Sequence, residues 1–74
     1  MMWTGTYEPL YVERLAEQNV DFLWKQEGAM HFIKAQWRFG PEPWSVKSCE
    51  TSNIQRHLAI AEATQKITAL IQEA

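Results

Sequence analysis

Few side chains in this chain are of the types that catalyse reactions or bind metal ions. Cys49, Glu50 and His57 are close in sequence, and His31 is the second histidine. A zinc site needs three or four such ligands at close range, and no recognisable ligand spacing occurs here. A nucleophilic cysteine needs a base within hydrogen-bond reach, and only His57 is near Cys49, which we place at a strand end. We therefore expect no metal, no cofactor, no catalytic residue and no enzymatic activity.

Aromatic and cationic side chains form a second group, suited to binding rather than catalysis. All nine aromatic residues lie between Trp3 and Trp44. Aromatic rings mixed with cations on an open sheet can stack nucleobases. The same residue types are also enriched at protein interfaces. The net charge of −2 and the pI of about 5.6 lie far below the pI of about 9 that is typical of nucleic-acid binders, so the composition favours a protein partner. The plain alternative is that these rings only fill a core.

Length and composition limit the chain to one small domain, residues 1–74, with residues 1–7 as an N-terminal arm. The chain has 74 residues, of which 46% are hydrophobic and 22% are charged, so the composition is typical of a globular domain. A single cysteine cannot form an internal disulfide, which favours a reducing compartment. No leader-like segment and no long apolar stretch is visible, so we expect a cytoplasmic protein with no membrane contact.

The elements that would position these residues follow from hydrophobic periodicity. Proline suits the first position of a helix, and apolar residues recur every three to four positions after Pro9, so we predict a short helix over residues 9–18. The alternative there is a strand over residues 10–12. Alternation with a period of two then predicts strands at 20–25, 29–39 and 44–49, joined by short turns. We expect a three-stranded antiparallel sheet with one face covered and one face open.

A long C-terminal helix is predicted over residues 53–72. Ser52 followed by Gln55 matches a capping box. Small and aliphatic residues fall on one stripe of this helix, which should pack on the sheet: Ala59, Ile60, Ala63, Ile67, Leu70, Ile71 and Ala74. Ile54, Leu58 and Ala61 lie nearly opposite and must meet the first helix, another chain or water. The expected fold is α+β in the order α-β-β-β-α.

This order resembles a double-stranded RNA-binding domain over most of the chain. Gly28 and His31 match two positions of the family's Gly-Pro-x-His motif, whose histidine contacts a minor groove. Where the family has a Lys-Lys-x-Ala-Lys cluster for phosphates, this chain has Asn53-Ile54-Gln55-Arg56-His57. The resemblance thus implies at most Arg56 and His57 as phosphate contacts. Members of such families that lose the basic cluster generally act as protein-binding modules.

The sequence therefore leads to two hypotheses about function. The first is a non-catalytic interaction module, of adaptor, regulator or inhibitor type, that binds a protein partner or a second copy of itself. Its candidate contact residues are Met30, Phe32, Lys34, Arg38, Ile54, Leu58 and Ala61. The alternative is weak binding of duplex RNA or DNA through a local basic surface. Its candidate residues are His31, Lys34, Arg38, Lys47 and Arg56.

Overall fold

The computed structural model describes residues 6–73 as an α+β fold with one antiparallel sheet. The elements along the chain are β1 (Glu8–Leu10), α1 (Glu13–Ala16), β2 (Val20–Glu27), β3 (Met30–Arg38), β4 (Val46–Asn53) and α2 (Arg56–Glu73). The sheet has four strands in the order β1-β2-β3-β4. The α+β class is confirmed, whereas the expectation of three strands is wrong because β1 precedes the first helix. The predicted arm lies mostly outside the described residues.

The predicted helix over residues 9–18 is largely replaced by other structure. Pro9 lies in the middle of β1 opposite Leu23 of β2, and only Glu13–Ala16 is helical. The alternative strand is confirmed only at Leu10, which pairs with Phe22. A proline is compatible with an edge strand when its nitrogen points away from the neighbouring strand. Long-range pairing with β2 therefore decides the structure of this segment.

The three strands predicted from alternation are present, with one shift. β2 pairs with β3 from Val20↔Trp37 to Glu27↔Met30, across a turn in which Gly28 has a φ of 60°. β3 pairs with β4 from His31↔Asn53 to Arg38↔Val46. The last strand was expected at 44–49 but spans Val46–Asn53.

Helix α2 begins later than predicted because Ser52 belongs to β4. Ser52 pairs with Phe32, so it does not cap the helix. Instead, the Asn53 side-chain oxygen accepts a hydrogen bond from the Gln55 N–H at 3.0 Å. The Gln55 carbonyl then accepts the N–H of Leu58 and of Ala59, which starts the helical ladder. The capping-box prediction is therefore wrong, although a side-chain oxygen still supports the turn that enters the helix.

The core lies between α2 and one face of the sheet. Its buried residues come from α1, β2, β3 and α2: Leu15, Val20, Phe22, Ile33, Ala35, Ala59, Ala63 and Ile67. The predicted α2 stripe is confirmed within the described residues, and Ala74 lies outside them. Thr51 Oγ1 donates a hydrogen bond of 2.7 Å to the Ala59 carbonyl, so β4 and α2 lie in direct contact. In the part of the chain that the structure describes, no helix is long and apolar enough to cross a membrane.

Candidate binding face

The sheet surface turned away from α2 is the candidate site, and we call it the open face. Successive side chains of a strand point to opposite faces, so residues next to the buried Ile33 and Ala35 belong to this surface. No element within residues 6–73 packs over it. Its half-buried members include Leu23, Lys25, Phe32, Lys34, Gln36 and Val46, and Met30 and Arg38 are more exposed.

Lys25 lies at the centre of a cluster of rings and charge on the open face. Its ammonium group is 4.9 Å from the centre of the Tyr7 ring and 5.3 Å from that of Phe32. Both distances are within the range of attraction between a cation and an aromatic ring. The Lys25 Nζ is also 3.4 Å from a carboxylate oxygen of Glu27. These contacts hold Phe32 and Lys25 in place on a surface that is otherwise uncovered by the described chain.

Tyr7 adds a neutral polar group to the same cluster. Burial raises the pKa of its hydroxyl above the usual 10.0, and the negative charge of Glu50 acts in the same direction. Lys25 opposes this shift in the pKa. The hydroxyl therefore stays protonated at neutral pH and can both donate and accept a hydrogen bond.

A shallow apolar pocket adjoins the open face near β1. Its volume is about 460 Å³, and it is lined by the β1 strand, the start of β2 and α1. Leu23 and Gln36 reach it from the open face, while Tyr11 and Val12 line its other side. Tyr11 is 76% exposed, which is high for a large aromatic residue. The pocket has the concave, mainly apolar form that accepts a side chain of another molecule.

The protein-interface candidates from the sequence divide between two surfaces. Met30, Phe32, Lys34 and Arg38 alternate along β3 and share the open face. The remaining three candidates, Ile54, Leu58 and Ala61, are exposed on the α2 side of the sheet. Ile54 lies before the helix rather than in it. The seven residues therefore do not form one site.

The nucleic-acid candidates are also divided. His31 lies on the face toward α2, where its Nδ1 accepts a hydrogen bond of 3.0 Å from Trp24 Nε1. The Arg56 guanidinium lies 4.9 Å from the same Trp24 ring. Lys47 pairs with Trp37 near the opposite end of the sheet. Only Lys34 and Arg38 remain on the open face, so the five residues do not form one basic surface.

The candidate catalytic group does not converge either. Cys49 lies in the middle of β4, not at a strand end, and its thiol is 3.8 Å from the Ala63 carbonyl. Burial raises the pKa of this thiol, which disfavours the nucleophilic thiolate. The neighbouring Glu50 points to the open face, and His57 is exposed on α2. Among residues 6–73, no three His, Cys, Asp or Glu side chains are grouped to hold a metal ion.

A comparison of the chain with protein-family models, curated proteins and solved structures finds no match. The candidate site is therefore inferred from its geometry alone. Sequence analysis found Phe32, Lys34 and Arg38 from their alternation, but missed Tyr7, Leu23 and Lys25. The signal for these three is the register between β1, β2 and β3, which periodicity within one strand does not contain.

Proposed function

We propose that this protein is a non-catalytic binding module whose open face takes a protein partner. The observation that supports this proposal is the cluster of Tyr7, Lys25 and Phe32 on an uncovered sheet surface, next to an apolar pocket. Aromatic side chains with cations around them form the energetic centres of many protein interfaces. A partner would insert an apolar side chain beside Phe32 and pair its polar groups with the charged rim.

The charge balance of the open face favours a protein over a phosphate polymer. The described strands place three cations on it, Lys25, Lys34 and Arg38, and three acids, Asp21, Glu27 and Glu50. Binding to nucleic acid depends on excess cations that displace counterions from phosphates. A neutral mixture of charges instead suits a partner that carries both signs.

The test is affinity purification from the source cells with two variants that differ in location. Phe32→Ala removes the central ring of the open face, while His57→Ala changes an exposed residue on α2. We expect at least one protein to be enriched by the wild type and by His57→Ala and to be lost with Phe32→Ala. The interaction should survive nuclease treatment, and circular dichroism should show that both variants are folded.

The second candidate function is weak nucleic-acid binding through the same face. It is supported by Lys25 between two aromatic rings, an arrangement that can stack an unpaired base. A gel shift with single-stranded and duplex RNA at low salt tests it. A shift that Phe32→Ala abolishes, together with nuclease-sensitive copurification, would replace the protein-partner proposal.

A further inference from the structure

The outer edge of β4 carries backbone groups with no partner strand in the described chain. The Phe39 N–H donates to the Ser45 carbonyl at 2.9 Å, which determines which residues of β4 hydrogen-bond to β3 and which face outward. Because hydrogen-bonded positions alternate in antiparallel pairs, Cys49 and Thr51 bond toward β3. The outward positions are therefore Val46, Ser48, Glu50 and Ser52, each with one N–H and one carbonyl. These eight groups form a regular template for another strand.

The opposite edge of the sheet is built differently. The Arg38 N–H donates to the Asn19 carbonyl at 3.0 Å, so the odd-numbered residues of β2 hydrogen-bond to β3 and the even-numbered ones to β1. The backbone groups of Glu8 and Leu10 therefore face β2, and those of Pro9 face outward. Proline has no N–H to donate, and β1 has only three residues. β4 has eight residues and no proline. Of the two edges that the described strands form, the β4 edge is the one suited to regular strand addition.

Helix α2 lies where a second copy could pack beside it. Its backbone lies against β3 and β4, and the Thr51 and Cys49 side chains reach its backbone carbonyls. The Arg56 side chain at its start extends to the Trp24 ring of β2. Its axis thus lies above the gap between β3 and β4, about 2.4 Å inside the edge strand. A second copy joined through β4 would bring the two helix axes to about 10 Å, the upper end of the range for packed helices.

The flank of α2 above this edge carries complementary charges. Glu62 and Lys66 line a groove of about 410 Å³ together with Phe32, Glu50, Thr51 and Ser52. Asn53 Nδ2 donates a hydrogen bond of 3.1 Å to Glu62, which fixes the carboxylate on the β4 side. If a twofold axis perpendicular to the sheet passes beside Cys49, and so beside Ala63 of α2, it relates two copies whose α2 helices run antiparallel. Glu62 then faces the partner's Lys66, and Lys66 faces the partner's Glu62.

We propose that two copies of this chain pair β4 to β4 in antiparallel register and form one continuous sheet with the two α2 helices side by side. The axis at Cys49 places Ser48 opposite the partner's Glu50 and Val46 opposite the partner's Ser52. All eight outward backbone groups are satisfied in this register, and no like charges of β4 face each other. The part of the open face formed by Tyr7, Leu23 and Lys25 stays uncovered in this dimer, whereas Phe32 and Glu50 border the β4 edge.

The experiment is sedimentation equilibrium of the full chain from micromolar to millimolar concentration. We expect a reversible dimer of twice the 8.7 kDa chain mass. Ser48→Pro removes one outward N–H, and Ser48→Ala is the matched control that keeps it. The proline variant should raise the dissociation constant about tenfold or more, equivalent to about 1.4 kcal/mol, whereas the alanine variant should not. A wild-type chain that stays monomeric throughout overturns the proposal and leaves the edge for another protein's strand.

A charge exchange tests the helix contact without changing the strand. Glu62→Lys should weaken the dimer, and the double variant Glu62→Lys with Lys66→Glu should restore it, because the reciprocal pairs return with reversed signs. Equal dissociation constants for the wild type, Glu62→Lys and the double variant would overturn the proposed register. If Ser48→Pro fails to fold, this charge exchange tests the dimer in its place.

Amide exchange is a third measurement of the dimer. The amides of Val46, Ser48, Glu50 and Ser52 should be protected only at concentrations where the dimer forms. Leu23→Ala, on the open face at β2 and away from the β4 edge, should leave the dimer unchanged, which separates this result from the proposed function.

Discussion

The two faces of the sheet use neighbouring residues of the same strand for different purposes. Ile33 and Ala35 have no exposed surface and pack under α2. Phe32 and Lys34, one position away, lie half-buried on the open face. Cation–ring contacts and charge order the open face, whereas close packing orders the face under α2. The packing of the core and the surface of the open face can therefore be altered separately in one strand.

The largest expected effect comes from a cavity under α2. Ile33 is fully buried, so Ile33→Ala should lower the free energy of unfolding by about 2–5 kcal/mol. A single core of this size rarely supplies more than about 3–5 kcal/mol in total. The variant should therefore be largely unfolded at 25 °C by circular dichroism. Lys34→Ala, on the open face, should change the free energy of unfolding, measured by urea denaturation, by less than about 0.5 kcal/mol. Equal losses from both variants would contradict the distinction between the faces.

Overpacking of the interface between α2 and the sheet should have the next largest effect. Ala63 is fully buried, and its carbonyl lies 3.8 Å from the Cys49 thiol, so a larger side chain has no space. Ala63→Leu should cost about 1–3 kcal/mol. Ala61→Leu is the matched control, because Ala61 is exposed on the same helix. Chemical denaturation of both variants measures the difference, and an equally stable Ala63→Leu protein would show that α2 can move away from the sheet.

Removal of a single hydrogen bond between β4 and α2 should have a smaller effect. Thr51 is 7% exposed and donates to the Ala59 carbonyl. Thr51→Val keeps the shape of the side chain and should lower the free energy of unfolding by about 1 kcal/mol. Ser52→Ala changes the exposed neighbour on the open face and should have almost no effect. A Thr51→Val protein as stable as wild type would mean that packing alone holds α2 here.

Elements that depend on local periodicity could be predicted from the sequence. The alternation around Ile33 and Ala35 indicates one covered face, and the spacing of Ala59, Ala63 and Ile67 indicates a helix stripe that packs on it. Both follow from the repeat of the chain itself. Half of the candidate site, from Phe32 to Arg38, is predictable for the same reason.

Elements that depend on pairing between distant segments could not be predicted. Pro9 has the local properties of a helix start, but pairing of β1 with β2 places it in an edge strand. Ser52 fits a helix cap locally, but its pairing with Phe32 keeps it in β4. The position of Tyr7 over Lys25 likewise requires the register of β1 against β2. In each case the free energy of a non-local contact outweighs a local preference of the chain.

The smallest expected effect is a loss of stability at alkaline pH. It distinguishes the two faces because each carries one group that deprotonates in this range. The pKa values of Cys49, toward α2, and Tyr7, on the open face, are both raised from 9.0 and 10.0, mainly by burial. The folded state therefore holds each proton more tightly than the unfolded state, so each contribution to stability is complete below the unfolded pKa and is lost as pH rises through the folded one. The melting temperature should fall first above pH 9 and again above pH 10. Cys49→Ala should remove the first decrease and Tyr7→Phe the second. A profile that Cys49→Ala does not alter would place that thiol in contact with solvent.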